Sequence, residues 1–164
     1  MLDPRMQDAL NEQINAELFS AYLYLAMAAY FEAEDLPGFA HWMRVQAQEE
    51  LEHAMKIFDF VNERKGRVHL AEIKAPKATW ASPAEAFEDA LHHEESVTQR
   101  IHNLVELARS LKDYATEVFL QWFVEEQVEE EATAEAVLRK VQRAKDHPPA
   151  LLMLDRELGQ RKPE

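Results

Sequence analysis

An all-α fold is expected of this chain: a four-helix bundle with one long crossover connection and a short fifth helix at the C-terminus. Three observations lead to it. Glycine and proline number only 3 and 7 in 164 residues, and they fall at wide intervals. The stretches between them carry apolar residues at a helical period. One internal connection is far longer than the others.

Each element has a local reason. Asp3 followed by Pro4 is an N-cap with proline at the first helical position, so the first helix should run over about 4–34. Pro37-Gly38 marks a turn, and a second helix follows over about 37–65, stopped by Gly66. Residues 66–82 read as the crossover loop, with Val68, Leu70 and Ile73 alternating before Pro76 and Trp80. Ser82-Pro83 followed by Glu85 opens a third helix over about 83–110. Asp113 can cap a fourth over about 113–145, which His147-Pro148-Pro149 breaks. A short amphipathic helix over about 150–158 ends at Gly159, and Gln160 to Glu164 should fray.

The two tight turns make antiparallel hairpins. The longer connection can extend roughly 50 Å at about 3.3 Å per residue. That is wasteful between adjacent ends and suggests a run along the whole bundle. The chain is read as one domain, 1–164.

Composition narrows the function. Eighteen basic against 31 acidic residues leave a net charge of −13. That disfavours nucleic acid or an anionic membrane as partner and favours cations. There is no cysteine, so disulfides, thiolate metal sites, iron–sulfur clusters and cysteine nucleophiles are excluded. Met1 to Arg5 lacks a basic-then-apolar leader pattern, and the longest apolar run, Ala21 to Phe31, falls short of the ~20 residues a span needs. A cytoplasmic location is the expectation.

The strongest signal is polar residues inside apolar stripes. The first helix reads Leu10, Ile14, Glu17, Ala21, Tyr24, Ala28, and the second Met43, Gln46, Glu50, His53, Ile57. The third reads Phe87, Leu91, Glu94, Val97, Ile101, and the fourth Phe119, Phe123, Gln127, Glu130, Ala134. Each helix thus puts a glutamate among apolar neighbours one and two turns away.

The spacing repeats. Glu50 and His53 follow Glu17 by 33 and 36 residues, and Gln127 and Glu130 follow Glu94 by the same intervals. Glu17 and His53 are symmetric about residue 35, as are Glu94 and Glu130 about residue 112, so each set meets at one level of its hairpin. Residues three apart share a helix face, so Glu50 with His53, and Gln127 with Glu130, can converge.

Four buried carboxylates would bring a charge of about −4 into a poor dielectric, at a cost of several kcal/mol or more for each unpaired group. No lysine or arginine lies near them on the stripes. Protonation relieves part of that charge, and two divalent cations relieve all of it. Carboxylate with imidazole suits iron, manganese or zinc. Glutamates with Glu-x-x-His from facing helices are the donor set of carboxylate-bridged di-metal bundles.

The residues Asn15-Ala16-Glu17, Ala21-Tyr22-Leu23-Tyr24, Gln48 to Ala54 and Trp122 to Glu131 carry a resemblance covering nearly the whole chain. It resembles the non-haem ferritins of bacteria and archaea. The resemblance implies iron storage with ferroxidase activity. Ferrous ions would be oxidised in pairs by dioxygen or hydrogen peroxide, and ferric mineral kept in a shell of 24 subunits. It also implies residue roles. Glu17, Glu50 and His53 would form one iron site, and Glu50 would bridge to a second completed by Glu94 and Glu130. Gln127 would sit beside that second site and orient dioxygen or water. Tyr24 would be a donor to the ligands or a radical former. Glu49, Glu126 and Glu129 would match a third, flanking iron site.

Two departures refine the resemblance. Gln127-x-x-Glu130 stands where bacterioferritins and rubrerythrins repeat Glu-x-x-His, and Glu52 stands where a haem-ligating methionine would be sought. No haem is expected. Two other readings of the same residues remain at this point. One is a discrete di-iron oxidase or peroxidase that stores nothing. The other is a metal-free interaction bundle with a protonated acidic core. Tyr22, Tyr24 and Tyr30 can be packing aromatics, and Trp42, Trp80 and Trp122 packing or interface residues. His92, His93 and Glu95 are expected at solvent or subunit contacts, and His69 has no role.

Overall fold

The structure, a computed structural model, describes residues 1–164. Its elements are α1 (Pro4–Ala33), α2 (Pro37–Glu63), α3 (Pro83–Ser110), α4 (Tyr114–Ala144) and α5 (Pro148–Leu158). There are no strands, and no helix is long and apolar enough to cross a membrane. Asp3 caps α1 by accepting from the Arg5 amide, Ser82 caps α3 through the Glu85 amide, and Asp113 caps α4 through the Thr116 amide.

Three local details differ from the sequence reading. First, α5 begins at Pro148, because both prolines sit in its first turn, where no amide is needed. Second, the left-handed residues just beyond α1, α2 and α3 are Asp35, Lys65 and Lys112, at φ of 58°, 61° and 55°; none is glycine. Gly66 comes just after the reversal. A Cβ there would sit 2.9 Å from Leu2 and 3.1 Å from Val61, so close approach explains it. Third, the tail beyond Gly159 is held. The Arg161 carbonyl lies 2.8 Å from His41 Nε2, and its side chain reaches into α2.

The crossover runs the length of α1. Gln7, Asn11 and Asn15 are one turn apart and zip it down. Gln7 accepts from the Arg67 amide; Asn11 bonds the Arg67 carbonyl and the His69 amide; Asn15 bonds the Ala71 and Glu72 carbonyls. The far end is fixed by Trp80, whose ring packs edge-on to Tyr30 and whose indole N–H donates to Asp89 at 2.7 Å. Residues 67 to 80 therefore climb from the start of α1 to its end. Helix α3 starts at that end and runs antiparallel to α1.

The apolar interior is divided. One cluster holds Met27, Phe31, Phe39, Trp42, Phe87 and Val141. The other holds Met6, Leu10, Ile14, Ile57, Ile101, Leu120 and Phe123. The polar residues at 17, 50, 53, 94, 127 and 130 fall in chain order between the two along all four helices. The two cores supply the packing that a polar layer cannot.

Helix α5 caps the first cluster with Leu154 and Leu158, and packs on α2 and α4. Gly38 makes the contact possible. A Cβ there would lie 1.7 Å from the Asp155 carbonyl oxygen, while Asp155 Oδ1 accepts from the Phe39 amide at 2.9 Å. Gly38→Ala is expected to destabilise the fold by about 1–3 kcal/mol, the usual range for overpacking. Equilibrium urea unfolding measures it, and an unchanged midpoint would show that α5 does not need this close approach.

Candidate metal centre

The 3.6-residue period aims one polar stripe from each long helix at the bundle axis. Glu17 from α1, Glu50 and His53 from α2, Glu94 from α3, and Gln127 and Glu130 from α4 are all buried; Glu50 is 0% exposed and Glu130 is 7%. The ligand atoms of Glu17, Glu50 and His53 lie within 4.8 Å of one another, as do those of Glu50, Glu94 and Glu130. Glu50 belongs to both groups.

His53 Nδ1 lies 3.5 Å from Glu50 Oε2 and 3.8 Å from Glu17 Oε2. Those separations are long for hydrogen bonds. They match the roughly 3–4 Å between two donors that each lie about 2.1 Å from one ion. Accordingly, Glu17 Oε2, Glu50 Oε2 and His53 Nδ1 are buried without a hydrogen-bond partner. Each lone pair without a donor is costly unless a cation takes it. His53 is held edge-on by Trp122 and Phe123, at ring separations of 5.3 and 6.1 Å.

Neutral donors orient the carboxylates. Gln13 donates to Glu17 at 3.0 Å and Gln46 to Glu50 at 2.9 Å, each from one turn earlier. Gln46 also reaches across to Glu130 at 2.6 Å. Gln127 donates to Glu94 Oε2 at 3.2 Å and to Thr98 at 3.1 Å. The Tyr24 hydroxyl donates to Glu94 Oε1. Gln13, on none of the stripes read from the sequence, and Gln46, on one of them but without a role there, both orient ligand carboxylates. The signal was there: each of the two glutamates has a glutamine four residues before it.

The proton affinities record the strain of this layer. Burial, then the charges of Glu94 and Glu17, push Glu50 well above the usual carboxylate range. Burial raises Glu94 to about 7 against the donors Tyr24 and Gln127. Burial and the Glu94 charge raise Glu130 to about 8. Burial also acts on Glu17, but His53 and Glu50 beside it outweigh that and hold it low. Burial alone would lower His53; Glu17 and the other carboxylates overcome it and raise it. Burial and Glu94 keep the Tyr24 hydroxyl protonated. Protons held on the raised carboxylates offset part of the layer's negative charge. Two divalent cations would replace those protons.

The residues expected at a flanking third site are not gathered into a comparable knot. Glu49, Glu126 and Glu129 line one cavity of about 430 Å³ with Glu130, Arg161, Lys162 and Glu164. The compact triad on that side is instead His53, Glu126 and Glu130. Glu126 lies 3.9 Å from His53 Nε2, Glu129 is exposed, and Glu49 is paired with Arg161 at 3.0 Å. A basic group thus stands beside the cluster. It comes from the tail, which no stripe argument reaches.

Another difference concerns His93. The sequence places it at solvent or a subunit contact, but its ring turns inward, 2.7 Å from Ser20 Oγ and edge-on to Phe19 and Tyr24. Burial lowers its proton affinity. His92 and Glu95 are exposed, and so is His69. Trp42 and Trp80 are packed in the first core, while Trp122 is partly exposed beneath the Lys56 ammonium.

The sequence model of the ferritin-like domain matches residues 7–144. A bacterial non-heme ferritin of Bacteroides fragilis is 44% identical over 161 residues, covering 98% of this chain and all of that one. One from Staphylococcus epidermidis is 47% identical, covering 98% and 97%. The crystal structure of an open pore ferritin from the archaeon Archaeoglobus fulgidus superposes with a TM-score of 0.98 at 55% identity, covering 99% of this chain and all of that one. The chain belongs to the ferritin family.

Proposed function

We propose that this protein stores iron and that its bundle interior is the ferroxidase centre. The observation that carries the reading is the convergence of buried donors from four helices, three of whose ligand atoms there lack a partner. Ferrous iron is the substrate. Glu17, Glu50 and His53 would take one ion, and Glu50, Glu94 and Glu130 a second. Sharing Glu50 keeps the ions close enough to act on one oxidant. Each ion loses one electron. The pair reduces dioxygen with two protons to hydrogen peroxide, or hydrogen peroxide with two protons to water. Ferric product then leaves for mineral.

This chain's own groups do the positioning. Gln13, Gln46 and Gln127 hold the carboxylates in place. Tyr24 keeps its proton and orients Glu94. Protons displaced from Glu50, Glu94 and Glu130 on iron binding are available to the reduced oxidant. Glu49, Glu126 and Glu129 line the flanking cavity and would take a third iron in transit. No haem enters this scheme.

Storage implies a closed shell of identical subunits, here read as 24. Leu152 and Met153 on α5 are 63% and 75% exposed in the single chain, an apolar face suited to contacts between copies. A cytoplasmic setting completes the reading.

Excess ferrous iron added in air to the metal-free protein, followed by isolation by size, should give far more iron per chain than the named ligands can hold, in a large particle. Iron stopping at two or three per chain would make the protein a discrete di-iron oxidase or peroxidase.

A further inference from the structure

The tail places a permanent cation on a carboxylate of the flanking cavity. Arg161 follows α5, whose seat on α2 is fixed by Gly38 and Asp155. Its guanidinium lies 4.1 Å over the Trp42 ring and donates to the Trp42 carbonyl at 3.1 Å. One guanidinium nitrogen then makes two bonds, to Gln46 Oε1 at 2.9 Å and to Glu49 Oε2 at 3.0 Å. A stacked, forked and partly buried arginine is a built contact rather than a loose surface pair.

Glu49 is only half satisfied by it. The residue is 6% exposed, and its Oε1 has no partner. Glu49 belongs to the wall of the cavity that also holds Glu126, Glu129 and Glu130. A cation entering there would find one free oxygen on Glu49 and the other held by Arg161.

Arg161 also sets Gln46. Because the guanidinium donates to the Gln46 carbonyl oxygen, the amide NH2 must face the other way, onto Glu50 and Glu130. The tail is therefore connected to the bridging ligand of the di-iron pair through one side chain.

We propose that Arg161 is a surrogate cation for the flanking iron position. It competes with iron for Glu49, so that iron moving out of the di-iron pair toward Glu126 and Glu129 meets a Glu49 carboxylate already half committed to the tail. Arg161 is thus a specificity-determining residue for that transfer. The inference rests on the reading of the flanking cavity as a third iron position, and the test separates the two.

Anaerobic calorimetric titration of the assembled protein with ferrous iron would compare the parent, R161Q, R161K, E49Q and the R161Q/E49Q pair. The parent should show two tight ions per chain and a weaker third. In R161Q the third should tighten at least tenfold, a gain that mere structural damage does not produce. R161K keeps the charge but cannot fork to both Glu49 and Gln46, so its third ion should fall between. E49Q and the double variant should lose the third ion alike. A third ion lost in E49Q but unchanged or weakened in R161Q overturns the role of Arg161 and leaves the third position standing. A third ion absent throughout, or indifferent to E49Q, overturns both.

Discussion

Replacing Glu50 with alanine should slow rapid oxidation of ferrous iron at least ~100-fold, because even supporting groups around a metal cost 10–100-fold when removed and Glu50 is shared by both candidate ligand groups. The loss is in chemistry and not in folding. Alanine is a stronger helix former than glutamate, and position 50 is mid-helix in α2. The substitution also removes a carboxyl oxygen that is buried without a partner and repelled by Glu94 and Glu17. Metal-free E50A should therefore keep its helical content and melt no lower than the parent at pH 8. Stopped-flow detection of ferric product, with circular dichroism on the same samples, checks both halves. Undiminished oxidation would remove Glu50 from the centre, and with it the bridging geometry.

The metal-free protein should lose stability as pH rises from about 5 to 9. Glu94 and Glu130 have ordinary values of 4.5 when unfolded and about 7 and 8 when folded. Below pH 4.5 both are protonated in either state, and their contribution is complete. Above it the unfolded chain ionises first, and the contribution is lost progressively as pH rises through the folded values. Glu50 and His53, also raised, act in the same direction. Glu17, held low, acts the other way and only in acid. At about 1.4 kcal/mol for each tenfold change in proton affinity, the combined loss is on the order of several kcal/mol per chain. Two zinc ions per chain should flatten the profile, because the cations take the place of the protons. Thermal melts at pH 5, 7 and 9, with and without zinc, measure this. A profile that rises with pH, or one that zinc leaves unchanged, would mean that these carboxylates do not share a cation site.

Both results depend on residues that the sequence itself makes visible. The repeat of Glu17, Glu50 and His53 by Glu94, Gln127 and Glu130 is a matter of spacing within helices and symmetry about their turns. Helical rise and period are local and nearly invariant, so equal spacing yields equal height and a shared face. The same locality made the caps at Asp3, Ser82 and Asp113 legible, and the pairing of each of two glutamates with a glutamine four residues before it could have been read too.

What crosses between helices was not legible. Gln46 reaching Glu130, Gln127 reaching Glu94 and His93 turning toward Ser20 depend on how far each helix is rotated and how closely it approaches its neighbour. The flanking group shows the limit most clearly. Its glutamates lie on only two helices, yet the tertiary structure divides them, giving Glu126 to His53 and Glu49 to Arg161. The sequence by itself determined the helices, the polar stripes and the height at which they meet, because these follow from a fixed local period. Only the tertiary structure decided that an arginine 112 residues away would stand against Glu49. That contact follows from the angle at which α5 docks on Gly38, and side-chain packing sets docking angles where no sequence interval can.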